Sequence, residues 1–194
     1  MATKLANVPA ENIVTPSPSV AGSTILALSY THDEPNLREM YLNLLAAASD
    51  DRRASQVHPA FAEVIKQLAP EEARELSGVF TLLRDVPVVR AEDKLVDPPG
   101  AYRILLANLL PVVDAKGEPR EVPQLPTWID NWQRLGLTNI TYAECASGPN
   151  SYDWVRERPE YMRLGGTPGI TELDFDKGLI RLTNFGRQFL SVVH

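Results

Sequence analysis

The sequence predicts a mainly α-helical protein whose C-terminal part is winged-helix-like: a helix, a β-hairpin wing and a closing helix. Two observations carry this expectation. Apolar residues recur at three-and-four spacing through Leu37–Ala48, Phe61–Leu68 and Ala73–Leu83, which is the period of one buried helical face. After Pro126 the order reads helix, strand, long connection, strand, helix, as at the end of a winged helix. At 194 residues the chain accommodates one compact domain or two small ones packed together. The expected division is a helical part over 1–85, an irregular connection over 86–125 and the winged-helix-like part over 126–194.

Met1 to Ser19 contains Pro9, Pro16 and Pro18 among small polar residues, which favours an extended lead-in. A helix is expected from Ser19 to Tyr30, with Val20, Ile25, Leu26 and Leu28 as its apolar residues, although so short a run also suits a strand. Asp33 is placed to cap the next helix and Pro35 to occupy its first turn. That helix runs to about Ser49 and buries Leu37, Met40, Tyr41, Leu44, Leu45 and Ala48. Asp50-Asp51-Arg52-Arg53 reads as a polar break.

Phe61, Val64, Ile65 and Leu68 mark a helix that stops before Pro70. Pro70-Glu71-Glu72-Ala73 opens another, with acids near the positive end of its dipole and a core stripe of Ala73, Leu76, Val79, Phe80 and Leu83 up to Pro87. In 86–125, Val88-Val89 and Tyr102–Val113 suit strands and Tyr102–Leu110 equally suits a buried helix. Trp128, Ile129, Trp132 and Leu135 define a short helix that Gly136 is placed to end. Leu137–Tyr142 and Leu179–Leu182 read as strands, and Phe185–Val193 as the last helix.

Net charge is −6, with 11 basic against 16 acidic residues up to Pro119 and 8 against 9 from Arg120 onward. This argues against a dominant nucleic-acid role, because sequence-independent affinity comes from Lys and Arg on phosphates. Cys145 is the single cysteine, so no internal disulfide forms and no Cys/His cluster stands ready for zinc. A reducing, cytoplasmic setting fits. No apolar run reaches the ~20 residues of a spanning helix, and Met1–Leu5 leads into no signal-peptide core.

Four tracts carry a family resemblance. They are Lys4–Pro16 followed by Leu37–Ala46; His58-Pro59-Ala60-Phe61 followed by Ile65–Pro70; Arg134-Leu135-Gly136-Leu137; and Leu182-Thr183-Asn184-Phe185-Gly186-Arg187. In this order and spacing the chain resembles the abortive infection alpha family of bacterial proteins. The resemblance implies a bacterial cytoplasmic protein associated with defence against phage, and it carries over no catalytic residue. It further implies that family members often have an additional, partly amphipathic N-terminal region ahead of this tract, where a membrane or oligomerisation role would reside.

The residues themselves predict no catalysis, cofactor or metal. His58 stands before Pro59 at a helix start, where a cap suffices to explain it. Cys145 lies beside Glu144, and a neighbouring acid makes a thiol less reactive. Asp50-Asp51 and Asp174-Phe175-Asp176 lack the ligand spacing of a calcium loop and read as solvated turns. Gly165-Gly166-Thr167-Pro168-Gly169 lacks the lysine of a phosphate loop and reads as a turn. The expected partner-binding residues are Tyr152, Trp154, Arg156, Arg158, Tyr161 and Arg163. They interleave aromatics with arginines, while Asp153, Glu157 and Glu160 offset the arginines one for one, which favours a protein partner or a second copy over nucleic acid. The expected function is therefore a non-enzymatic interaction or sensing part of an abortive-infection protein. The alternative is a winged-helix DNA-binding regulator reading through Asp130, Asn131, Gln133 and Arg134.

Overall fold

The computed structural model describes residues 2–80 and 85–194. The chain divides into two compact units, one comprising 1–78 and 183–194 and the other 79–182. The fold is mixed α/β, 44% helix and 19% strand, with a curled four-stranded antiparallel half-barrel sheet, and this overturns the mainly helical expectation. Leu83, expected in a helical core stripe, lies outside the described residues.

The first unit is helical. A short α1 (Ala2–Leu5) and a 3-10 turn (Ala10–Asn12) occupy the lead-in expected to be extended. α2 (Pro18–Leu28), α3 (Pro35–Ala48), α4 (Asp51–Ala54), α5 (Phe61–Lys66) and α6 (Pro70–Phe80) follow. Pro35 opens α3, but Glu34 is its N-cap and no side chain caps it, so Asp33 does not play the role its position suggested. Asp50 is the N-cap of α4, accepting the Arg52 backbone N–H at 3.1 Å, and it is 3% exposed. The expected solvated break is therefore a buried cap.

The last helix, α9 (Asn184–Val193), returns to this first unit. Thr183 starts it by accepting the Gly186 N–H at 2.9 Å, a first-turn cap that explains the chemistry of the Thr183–Arg187 tract. Phe61, itself 0% exposed, packs at 5.2 Å from Phe185 and 5.4 Å from Phe189, ring centre to ring centre. Asn43 Nδ2 donates to Val193 O at 2.8 Å, and Arg53 donates to Ser191 O at 2.9 Å. Tyr41 donates to Ala62 O at 3.3 Å, and burial, with Glu63 and Glu34 nearby, pushes its hydroxyl pKa up to about 12.

The second unit is built on β1 (Asp85–Lys94), β2 (Tyr102–Leu109), β3 (Thr138–Thr141) and β4 (Leu173–Leu182), in the order β2-β1-β4-β3. α7 (Leu125–Arg134) packs on β2 and β3, with Phe80 edge-on to Trp132, and Gly136 follows at φ 71 in the left-handed region that ends helices. β3 and β4 do pair antiparallel, from Thr138 with Leu182 to Thr141 with Leu179. They are not a wing. β4 continues along β1 from Arg181 opposite Asp85 to Leu173 opposite Asp93, so it is an inner strand of the sheet, and the helix after it belongs to the other unit.

The tract 86–125 thus supplies β1 and β2, and the long polar stretch before Leu179 supplies the first half of β4. Leu173, Phe175, Val89 and Ala91 meet Leu109, Tyr152, Val155 and Tyr161 in one apolar cluster. Gly178 is required where β3 crosses: a Cβ there would meet Thr141 O at 2.5 Å and the Tyr142 ring at 2.8 Å.

Because Phe61 joins α5 to Phe185 and Phe189 of α9, Phe61→Ala is expected to destabilise the protein by about 3–5 kcal/mol, read as a lower urea midpoint at unchanged slope.

Candidate functional site

The six residues expected to meet a partner fall on a 3-10 turn (Asp153–Glu157) and α8 (Pro159–Leu164), and they divide by burial. Tyr152, Arg158 and Tyr161 are buried at 6%, 1% and 9% exposure. Trp154 is half-buried against the same cluster, and Arg156 and Arg163 are exposed. Apolar and aromatic spacing in this segment therefore serves mainly to seat it on one face of the sheet.

Polar contacts hold it there. The Tyr152 hydroxyl accepts the Ala146 N–H at 2.9 Å and donates to Gly178 O at 2.8 Å, and burial raises its pKa. Arg158 donates to Val112 O at 2.7 Å and to Glu160 Oε1 at 2.5 Å. Arg163 pairs in two-pronged fashion with Glu121, at 2.8 and 2.5 Å, and its guanidinium holds the Glu121 carboxyl below the usual range.

The other face of the sheet carries a second constellation. Successive strand residues point to opposite faces, so with Val89 and Ala91 in the apolar cluster, Arg90 projects away from it. Its guanidinium lies 4.6 Å from the Tyr142 ring centre and 5.3 Å from that of Tyr102. It donates to Glu92 at 2.8 Å, to Asp176 at 2.8 Å and to the Tyr102 hydroxyl at 3.2 Å. Lys94 pairs with Asp174 alongside. Tyr102 is 47% exposed and Ile104 49%, while the Arg90 side chain is 24% exposed. Burial raises the Tyr142 hydroxyl pKa in spite of Arg90 beside it.

Asp174 and Asp176 are thus ion-paired strand residues and not a solvated turn. Their alternation with Leu173 and Phe175 was a period-two signal, and it points to the strand. The arginine clamp left no such local trace, because Arg90, Tyr102, Tyr142 and Asp176 come from four separate tracts.

At the far end of β1, Asp93 is fully buried. It accepts the N–H groups of Thr171 and Glu172 at 2.7 and 3.1 Å and pairs with Arg103 at 2.9 Å. Burial raises its pKa, but the two backbone donors and Arg103 outweigh this and hold the carboxyl below the ordinary range.

The remaining candidates have structural partners. His58 Nδ1 accepts the Ala60 N–H at 3.1 Å, and the ring packs against Phe61 and Phe185. Cys145 is exposed, and its neighbour Glu144 pairs with Arg181 at 2.8 Å. Gly165–Gly169 forms a turn, with Gly169 at φ 86. On α7, Asp130 accepts from Asn108 at 3.2 Å and Arg134 donates to Asn131 at 2.6 Å. In the first unit, a cavity of about 240 Å³ is lined by Met40, Ala73, Arg74, Ser77, Val193 and His194 among others. Ser77 Oγ lies against His194 Nε2, and burial lowers the His194 pKa. Among the described residues no helix is long and apolar enough to cross a membrane, and no group of three or more His, Cys, Asp or Glu is placed to hold a metal ion.

Fold and site together define a two-unit α/β protein that displays a tyrosine-flanked, ion-paired arginine on one face of its sheet. The abortive infection alpha family matches residues 1–193, and the chain belongs to that family. Neither the curated proteins nor the solved structures include a match to it.

Removing one partner of a buried ion pair leaves the other charge uncompensated, so Arg158→Met is expected to cost about 3–5 kcal/mol, measured by denaturant unfolding. Asp50, Asp93, Glu121 and Asp174 all have lowered pKa values in the folded state. The unfolded chain therefore binds protons first as pH falls. Their stabilisation is present above the ordinary carboxylate range, near pH 4, and is lost as pH drops through the lowered values. The melting temperature should fall steeply below about pH 4, and less steeply in Asp93→Asn.

Proposed function

We propose that this protein acts in abortive infection as a non-enzymatic, protein-binding component, and that its contact surface centres on Arg90, Tyr102, Tyr142 and Ile104. The supporting observation is that this surface is already ordered before any partner arrives. Glu92 and Asp176 fix the guanidinium and two tyrosine rings flank it, so little side-chain entropy remains to be lost on binding. Tyrosine and arginine are the residue types that carry binding energy at interface centres.

The local charge favours protein over nucleic acid. Arg90 and Lys94 are matched by Glu92, Asp174 and Asp176, leaving no surplus of cations for phosphates. On this reading the contact surface lies on β1, β2 and Tyr142, while Arg156 and Arg163 are exposed and Trp154 is half-buried on the opposite side of the sheet.

Tyr102 is half exposed and fills no core site, so Tyr102→Ala should leave the melting temperature within a degree or two. A hot-spot loss of about 2 kcal/mol corresponds to a roughly thirtyfold weaker complex. The expected outcome is loss of the partner complex isolated from infected cells, together with loss of phage protection in a plating assay. Full protection and an unchanged complex in this variant would remove the surface from the proposal.

A further inference from the structure

β2 is an outermost strand of its sheet. α7 meets it at Asn108, whose side chain donates to Asp130, while Tyr102, Arg103 and Ile104 at the other end are exposed. Residues of an antiparallel pair alternate between exchanging hydrogen bonds and turning their N–H and C=O groups to the other side. Lys94 donates its N–H to Glu172 O at 2.9 Å, on the β4 side, and Leu95 donates to Ala101 O at 2.9 Å, at the head of β2. Lys94 stands opposite Tyr102 and Glu92 opposite Ile104, so both pairs are of the kind that exchanges no bonds. Tyr102 and Ile104 therefore aim their N–H and C=O groups away from β1, at the open edge. Among the described residues no turn, loop or side chain supplies these groups with a partner. The ladder is regular here, its register shifts lying between Glu92 and Val89. Nor is the edge blunted as bare edges usually are: β2 has no proline and one charged residue, Arg103.

Resting on the protein-binding role proposed for this sheet, we infer that the partner binds by strand addition: an extended segment pairs antiparallel with Tyr102–Ile104 and carries a carboxylate opposite Arg103. The unpaired main chain selects the form of the occupant. Alternating donors and acceptors are met by another extended backbone, whereas a helix has already bonded its own.

Charge selects the sequence. Arg103 donates through Nη2 to Asp93 at 2.9 Å and to Gly169 O at 3.2 Å. Its Nε and Nη1 have no acceptor among the described residues, and the side chain is 56% exposed. The incoming residue that faces Arg103 sits in a non-hydrogen-bonded pair, where side chains come closest, and a carboxylate there makes a cross-strand ion pair. Its two neighbours lie beside Tyr102 and Ile104 and are apolar. The same arginine disfavours a second copy of this chain. Antiparallel two-fold pairing that uses Tyr102 and Ile104 of both copies sets Arg103 against Arg103, and like charges directly opposite are destabilising.

The test is amide NMR of the full chain titrated with a capped valine–threonine peptide bearing one central glutamate flanked by valines. The peptide is expected to shift the Tyr102 and Ile104 amides and slow their exchange, while the Arg103 amide, bonded to β1, exchanges slowly throughout. Methylating the nitrogens of the two flanking valines should abolish binding, and methylating the glutamate nitrogen, which faces away, should not. Lysine in place of glutamate should weaken binding about fivefold. Ile104→Pro removes an N–H that bonds to nothing in the free protein, so circular dichroism should stay that of the wild type while binding weakens about tenfold or more. Ile104→Ala, which keeps the N–H, should weaken it less. Unmoved Tyr102 and Ile104 amides, or binding indifferent to which nitrogen is methylated, overturns the inference. So does protection of these amides that grows with protein concentration without peptide, which assigns the edge to a second copy. The complex isolated from infected cells separates the two proposals. Its loss in Tyr102→Ala but not in Ile104→Pro sinks strand addition and leaves the sheet surface standing; loss in Ile104→Pro but not in Tyr102→Ala does the reverse.

Discussion

Antiparallel pairing of Asp85–Asp93 with Leu173–Arg181 is the constraint on which the second unit depends. These strands lie some eighty residues apart in the chain, and only their union makes β4 an inner strand with β3 on its far side. The apolar cluster forms on one face because the pairing aligns Val89 and Ala91 with Lys177 and Phe175. Arg90 and Asp176 are brought opposite each other on the other face by the same register. A slip of one residue would exchange the two faces, burying the arginine and exposing the cluster.

Ionic contacts reinforce that register at both ends. Arg181 reaches Asp85 and Glu144 at 2.8 Å each, while Lys94 reaches Asp174. Exposed pairs of this kind contribute little individually, about 0–1 kcal/mol. The buried ones act differently: Asp93 gathers Thr171, Glu172 and Arg103, and Arg158 ties the segment over the cluster to Val112. Such groups specify one arrangement because leaving any of them unpaired in the interior is costly.

The proposed contact surface would need no rearrangement to bind. The sheet provides this by fixing Arg90 through neighbours on β1, β2 and β4, and Gly178 contributes by letting Tyr142 lie flat against β4.

Residue order announced the helices: Pro35, Pro70 and Gly136 sit at the boundaries their backbone preferences dictate, and most of the apolar stripes of α3, α5 and α6 is buried, with Leu45 and Val79 half-buried. These signals are local, since a helix bonds to itself within four residues. The whole-chain family resemblance was likewise legible from ordered short tracts. The sheet was legible only in part: Leu137–Tyr142 and Leu179–Leu182 read as strands, but Leu173-Asp174-Phe175-Asp176 did not, because strand-disfavouring acids look like turn residues until Arg90 and Lys94 arrive from β1 to neutralise them. The arginines and tyrosines of 152–163 looked like a surface for the converse reason: composition reveals which residues can bind, but burial against a distant strand determines which remain free to do so.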